Sequence, residues 1–153
     1  MHVATMQTAS HPITPKLVDG LYTESMLLAD EARSYFDSDR ARSISPAEVA
    51  VAFSCESLKV TTRLMHVIAW LLNQKALRAG ELSLDDVTTL EQLGYAPATD
   101  DYWLDELPEE ARSLIMASED LYYRVQRICE GMIRQPVEVP EPLMMIERIR
   151  AAF

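Results

Sequence analysis

The sequence predicts an all-α protein: an antiparallel three-helix bundle with a long acidic connection between its second and third helices. Apolar residues recur every three to four positions over three long segments, and no segment shows the alternation of a strand. With 153 residues, 48% of them hydrophobic, the chain suits one domain with its own core. We divide it into a flexible N-terminal arm (1–15), a helical bundle (16–135), and a proline-rich linker with a short apolar tail (136–153).

The first helix is predicted from about Lys16 to Asp39. Its apolar residues are spaced by three, four or seven positions, which gathers them on one helical face. They are Leu17, Leu21, Leu28, Ala32 and Tyr35. The polar cluster that begins at Asp37 then breaks the pattern, so we expect the helix to end there.

The second helix has the clearest start and stop signals. Ser45 is the predicted N-cap, Pro46 the first helical residue, and Glu48 stands three residues after the cap. No Gly or Pro follows before Gly80, so this helix is about 34 residues, or ~50 Å, long. It carries two apolar stripes, each expected to pack against another helix: Val49, Phe53, Val60, Leu64, Val67, Ile68 and Leu71, and then Val51, Leu58, Met65, Ala69, Leu72 and Ala76.

The remaining face of the second helix mixes charged with large apolar side chains, a composition typical of a protein interface. Besides His66, which we interpret as a helix-face histidine, it carries the five predicted protein-interaction residues: Glu56, Lys59, Arg63, Trp70 and Leu77. The alternative is a solvated face, with Trp70 lying under the connection that follows the helix.

The connection and the entry to the third helix carry the excess of negative charge. Ten of the 24 acidic residues, and no Lys or Arg, lie in residues 81–110, and the formal net charge of the chain is −10. This segment is either a surface that attracts a basic partner or an acidic loop that serves solubility. Within it, Ser83 is predicted to cap a short helix over Leu84–Leu93.

The third helix is predicted from Pro108 to about Arg134. Glu109 and Glu110 lie in its first turn, where they complement the helix dipole. Its apolar residues alternate spacings of four and three over more than three heptads, which predicts a buried seam. The seam comprises Leu107, Ala111, Leu114, Ser118, Leu121, Val125, Ile128 and Met132.

The C-terminal tail is apolar but too isolated to form a core of its own. We predict that it is a tethered peptide ligand, because a linked segment docks at high effective concentration. Its apolar residues are Leu143, Met144, Ile146, Ile149 and Phe153. The alternative is that the tail folds back onto the bundle.

Several function classes find no support in the sequence. There is no basic run for nucleic acid, no apolar stretch long enough for a membrane span, and no secretory signal. Phosphate loops, nucleophile elbows and metal-ligand spacings are also missing, so we predict no enzyme, no cofactor and no metal. Cys55 and Cys129 lie far apart and are interpreted as buried, inert thiols of a reduced, cytoplasmic protein.

The second helix carries a series of short motifs that no general helix rule produces. They are Glu56-Ser57, Thr61-Thr62-Arg63-Leu64-Met65, Ala69-Trp70-Leu71-Leu72, Gln74-Lys75-Ala76 and Gly80-Glu81. With these motifs, residues 50–83 resemble the signature stretch of the alphaproteobacterial family named for the regulator of CtrA degradation (RcdA). The similarity extends over about residues 17–134, including Leu107-Pro108 and the Leu121-Tyr122-x-Arg124-Val125 pattern.

The resemblance implies a homodimeric three-helix bundle without catalytic residues. It also implies an adaptor for the ClpXP protease, which delivers substrates such as the cell-cycle regulator CtrA together with a primed response-regulator partner. The expected location is the cytoplasm, with the cell pole as a specific site. Two alternatives stay open: a structural or regulatory helical protein without protease contact, and a bundle that binds a small molecule.

Overall fold

The computed structural model describes residues 14–81 and 92–134, and these ranges contain helices but no strands. The predicted all-helical class is confirmed. Within the described ranges, no helix is both long and apolar enough to cross a membrane. The five helices are α1 (Pro15–Phe36), α2 (Asp39–Arg42), α3 (Ala47–Arg78), α4 (Asp101–Leu104) and α5 (Glu109–Arg134).

Helix α1 begins and ends close to its predicted bounds. The Oγ1 atom of Thr14 accepts a hydrogen bond from the backbone N–H of Leu17 at 3.2 Å, which caps the helix at its first turn. The helix ends at Phe36, three residues earlier than predicted, because Ser38 caps the separate short helix α2. The polar cluster therefore forms a second helix start rather than a simple break.

Helix α3 is the predicted second helix, and its two ends differ from each other. At the start, Pro46 is the N-cap and no side chain bonds to the first turn, so the cap predicted at Ser45 is wrong. Pro46 is extended rather than helical, so Ser45 lies one residue before the N-cap position and does not cap the first turn. At the end, Gly80 takes a left-handed φ of 74°, and the amide of Glu81 reaches back to the carbonyl of Ala76. This is the predicted glycine stop.

Contacts between helix ends give the direction of α1 relative to α3. Arg78, at the end of α3, pairs with Asp19 near the start of α1 at 3.1 Å. Phe36, at the end of α1, contacts Phe53 near the start of α3, with 5.2 Å between ring centroids. The two helices are therefore antiparallel. The Arg78 guanidinium also holds the pKa of Asp19 below its usual range.

Helix α5 runs antiparallel to α1 and consequently parallel to α3. Arg40, which follows the end of α1, pairs with Glu110 in the first turn of α5, and Arg124 farther along α5 pairs with Glu24 of α1. The predicted antiparallel bundle, in which the third long helix runs opposite to the second, is therefore wrong for this pair of helices. Parallel neighbours need a connection that returns along their length, and the long acidic connection makes that return.

The core lies where α1, α3 and α5 meet. One apolar stripe of α3 is buried there as predicted, apart from the half-buried Ile68. The α5 seam is also confirmed, since Leu107 to Val125 are buried at every seam position and Ile128 and Met132 pack against the core. Along α1 the buried face differs from the predicted one, because Val18 and Ser25 are buried while Leu17 is exposed.

Some predictions fall outside the described residues. These are most of the N-terminal arm, most of the short helix over Leu84–Leu93, and the whole tail with Leu143, Met144, Ile146, Ile149 and Phe153. At the edge of the described range, Gln92 and Leu93 are not helical.

Candidate functional site

Two faces of α3 remain once α1 and α5 have covered the core stripe, and one of them is covered by a segment without long secondary structure. We call this segment, residues 92–107, the strap. It lies beside His66 at Gly94, beside Arg63 at Pro97 and Thr99, and beside Glu56 at Asp100. The strap therefore runs along α3 from the middle of the helix towards its N-terminal end, antiparallel to the helix.

The strap packs tightly against α3 at Gly94. A Cβ atom built there would lie 1.5 Å from Nδ1 of His66, so only glycine fits against this ring. The Tyr122 hydroxyl of α5 donates a hydrogen bond to the carbonyl oxygen of Gly94 at 2.7 Å. Burial raises the pKa of this hydroxyl, which keeps it protonated as a donor.

Arg63 joins the strap to both α3 and α5. Its side chain is 2% exposed, and its guanidinium donates to the Pro97 carbonyl at 3.1 Å and to Thr99 Oγ1 at 2.9 Å. On α5 it donates to Ser118 Oγ at 3.2 Å and to Glu119 Oε1 at 3.4 Å. The same Glu119 oxygen accepts the backbone N–H of Thr99. The buried charge is thus paired and hydrogen-bonded, as its burial demands.

Glu56 holds the next part of the strap but is only half satisfied. Its Oε1 atom accepts hydrogen bonds from Lys59 Nζ at 2.9 Å and from the backbone N–H of Asp100 at 3.1 Å. Its Oε2 atom is buried, and among the described residues it has no hydrogen-bond partner. A buried carboxylate oxygen without a donor is costly and uncommon in folded proteins.

The exposure that we expected for the predicted interaction residues is therefore wrong. Glu56, Arg63 and Trp70 are each 2% exposed, and Lys59 and Leu77 are partly buried. The physical reason is the path of the strap, which covers Glu56 and Arg63, while Trp70 belongs to the core. A partner would reach Arg63 only by displacing the strap, whereas Glu56 also lines an open cleft beside the strap. Their predicted role in partner binding stays a prediction.

The opposite face of α3 is exposed although it is apolar. We call it the α3 seam: Val51, Leu58, Met65 and Leu72, spaced by seven residues and 64%, 67%, 64% and 46% exposed. The expectation that this second stripe packs inside the bundle is wrong, because α1, α5 and the strap occupy the other sides of the helix. Four large apolar side chains in one row form an exposed apolar stripe, a feature typical of binding surfaces.

Cys55 lies beside this seam and is exposed, so the interpretation of both cysteines as buried thiols is wrong for Cys55 and confirmed for Cys129. No group of three or more His, Cys, Asp and Glu side chains that could hold a metal ion occurs within residues 14–81 and 92–134.

Comparisons with known proteins agree with the resemblance in the sequence. A family model described as "Protein of unknown function (DUF1465)" matches residues 9–153. A search of curated proteins returns no match. Among solved structures, the chain is similar to RcdA from Caulobacter crescentus CB15, with 30% sequence identity and a TM-score of 0.63. The similarity covers 80% of this chain and 94% of the RcdA chain.

Proposed function

We propose that this chain, which belongs to the DUF1465 family as an RcdA-like member, is a non-enzymatic homodimeric adaptor in regulated proteolysis. The sequence resemblance implies the specific role: delivery of protein substrates, CtrA among them, to the ClpXP protease with a primed response-regulator partner. The bundle supplies binding surfaces in this role, and the tail with Leu143, Met144, Ile146, Ile149 and Phe153 supplies a tethered peptide.

The observation that carries the proposal is the exposed α3 seam. Its heptad spacing is that of a helix that pairs with another helix. If two copies pair through the seam, four large apolar side chains of each copy leave water. The face of α3 that the strap covers, which carries Glu56 and Arg63, is called the strap face. It then points away from the pair, where it remains accessible to other proteins.

The charged residues of the strap face support a non-enzymatic role. Arg63 and Glu119 bond to the strap and to each other, and Glu56 bonds to the strap and Lys59. Each therefore has a structural task that accounts for its burial.

Light scattering tests the homodimer with a matched control. We expect twice the chain mass of 17.3 kDa for the natural protein and a single chain mass for the double variant Leu58→Gln, Met65→Gln. The control is Leu27→Gln, Met116→Gln, the same change at side chains 67% and 60% exposed on α1 and α5. Dissociation by the control alone, or a single chain mass for the natural protein, contradicts seam-mediated pairing.

A pull-down and a degradation assay test the adaptor role separately. We expect ClpX to retain this chain when the response-regulator partner is in its primed state, and CtrA degradation to accelerate. No retention in either priming state contradicts protease contact and leaves a structural or regulatory helical protein. A saturable thermal shift with one compound of a metabolite panel would instead indicate a small-molecule-binding bundle.

Deletion of residues 136–153 tests the tail. A tethered ligand predicts unchanged thermal stability together with lost partner binding. A large fall in melting temperature would show that the tail folds back onto the bundle.

A further inference from the structure

A cleft of about 520 Å³ opens between the N-terminal half of α3 and the strap. Glu56 lines it, and this is the side chain whose Oε2 atom is buried and has no hydrogen-bond partner among the described residues. A residue that lines the cleft therefore carries an acceptor that has lost water and has gained no donor from the described parts of the protein. Such an oxygen favours any ligand that brings a donor to it.

The charges around the cleft favour a cationic donor. Glu48, Glu56 and Asp100 line it together with one cation, Lys59, which leaves an excess of two negative charges. Lys59 already bonds to Oε1 of Glu56, and Asp100 accepts the backbone N–H of Tyr102. Neither of these bonds satisfies the Oε2 atom.

We propose that this cleft binds an arginine side chain presented by a segment of another protein. The planar guanidinium has five N–H donors in a fork, so one arginine can donate to Glu56 and to a second carboxylate at the same time. Trp103 lines the cleft, and a guanidinium can stack on an indole ring. Ala52 lines the same cleft and suits the aliphatic stem of the side chain.

A lysine fits this cleft less well than an arginine. Its ammonium is a compact, strongly hydrated charge that neither forks between two carboxylates nor stacks on an indole as a plane. The site is independent of protease contact, because a chain that never meets ClpX still has the cleft and its unpaired oxygen.

The test uses N-acetyl-argininamide as the probe and the indole N–H signal of Trp103 as the reporter, assigned with Trp103→Phe. N-acetyl-citrullinamide is the control probe, since it keeps the shape of arginine without the charge. We expect a saturable shift with the arginine probe at millimolar concentration and none with the citrulline probe. No saturable shift with arginine, or the same shift with both probes, overturns the proposal.

Variants locate the binding at Glu56. We expect Glu56→Gln to weaken the arginine probe about tenfold or more, because it removes a charge-assisted hydrogen bond. Glu48→Gln, at the exposed rim, should weaken binding less and keeps the test valid if Glu56→Gln destabilises the fold. Glu130→Gln makes the same charge change on an exposed site of α5 and should leave binding unchanged. Equal weakening by Glu56→Gln and Glu130→Gln would indicate general charge attraction and overturn the assignment.

A second copy of this chain is the other source of an arginine, and sedimentation distinguishes it. We expect Glu56→Gln to leave self-association unchanged. A loss of dimer in this variant would show that the arginine comes from the partner copy and would overturn the assignment to another protein.

Discussion

The strap face of α3 is charged but buried, whereas the α3 seam is apolar but exposed. The strap face is rich in charge and is buried, with Glu56 and Arg63 each 2% exposed, whereas the seam face is apolar and open to solvent. Charges are buried on the strap face because a second segment supplies donors and acceptors for them. Apolar side chains stay exposed on the seam face because no described part of the chain packs there. The difference teaches that the segment packed on each face, and not the polarity of its residues, decides which face of α3 is covered.

Replacing Arg63 should have the largest effect, and it tests whether the buried charge is structural. Arg63→Met removes the bonds to the strap and to α5 and leaves Glu119 without its cation. We expect the free energy of unfolding to fall by about 4 kcal/mol, measured by urea denaturation. Arg33→Met removes an exposed pair and should change stability by less than about 0.5 kcal/mol. Equal losses of stability in the two variants would contradict a structural role for the buried charge of Arg63.

Two leucines six residues apart on α3 test the exposed face. Leu64→Ala should cost about 3 kcal/mol, since this side chain is buried in the core and its loss leaves a cavity. Leu58→Ala should change stability by less than about 0.5 kcal/mol when both are measured at dilutions that favour single chains. A large loss for Leu58 would mean that the seam is already covered within one chain.

Gly94→Ala should weaken the packing of the strap against α3 at His66. The new Cβ atom would overlap the His66 ring, and we expect a loss of about 2 kcal/mol in thermal or chemical unfolding. Gly20→Ala in α1 meets no atom within 4 Å and should stabilise by about 0.5 kcal/mol. The additional change His66→Ala should rescue Gly94→Ala. Absence of rescue would argue against the ring contact.

The smallest effect is expected at Asp19, which joins the end of α3 to α1 away from both faces. Arg78, and less strongly Lys75, lower the pKa of this carboxyl. A lowered pKa stabilises the fold above the unfolded pKa, near 4, and this contribution is lost as the pH falls through the folded value. The melting temperature of Asp19→Asn should therefore lie slightly below that of the natural protein at pH 7, and this difference should shrink as the pH falls below about 4. A difference that does not change with pH would exclude this ion pair as its cause.

The sequence predicted helix positions well because the signals are local. The periodicity of Leu107 to Val125 and the stop at Gly80 need only neighbouring residues to be interpreted. The cap at Ser45 failed for a local reason, since the helix begins one residue later than the pattern indicates.

The sequence did not predict which helix faces are covered, because that depends on the path of the strap. Periodicity groups Glu56 with Arg63 and Val51 with Leu58, but it does not state what packs on each group. The strap has no period of its own, and its pairing partners lie 20 to 44 residues away. The parallel direction of α5 follows from the same path and was missed for the same reason.

The carboxylates that hold the strap also determine how its backbone exchanges hydrogen with the solvent. The amides of Thr99 and Asp100 lie outside any helix, yet each donates to a carboxylate, one on α5 and one on α3. Their deuterium uptake therefore requires the hydrogen bonds to the Glu119 and Glu56 carboxylates to break, rather than a helix to unwind. In an exchange experiment these two amides should resemble helical positions, and a chain segment that looks like a loop should be as protected as the helices beside it.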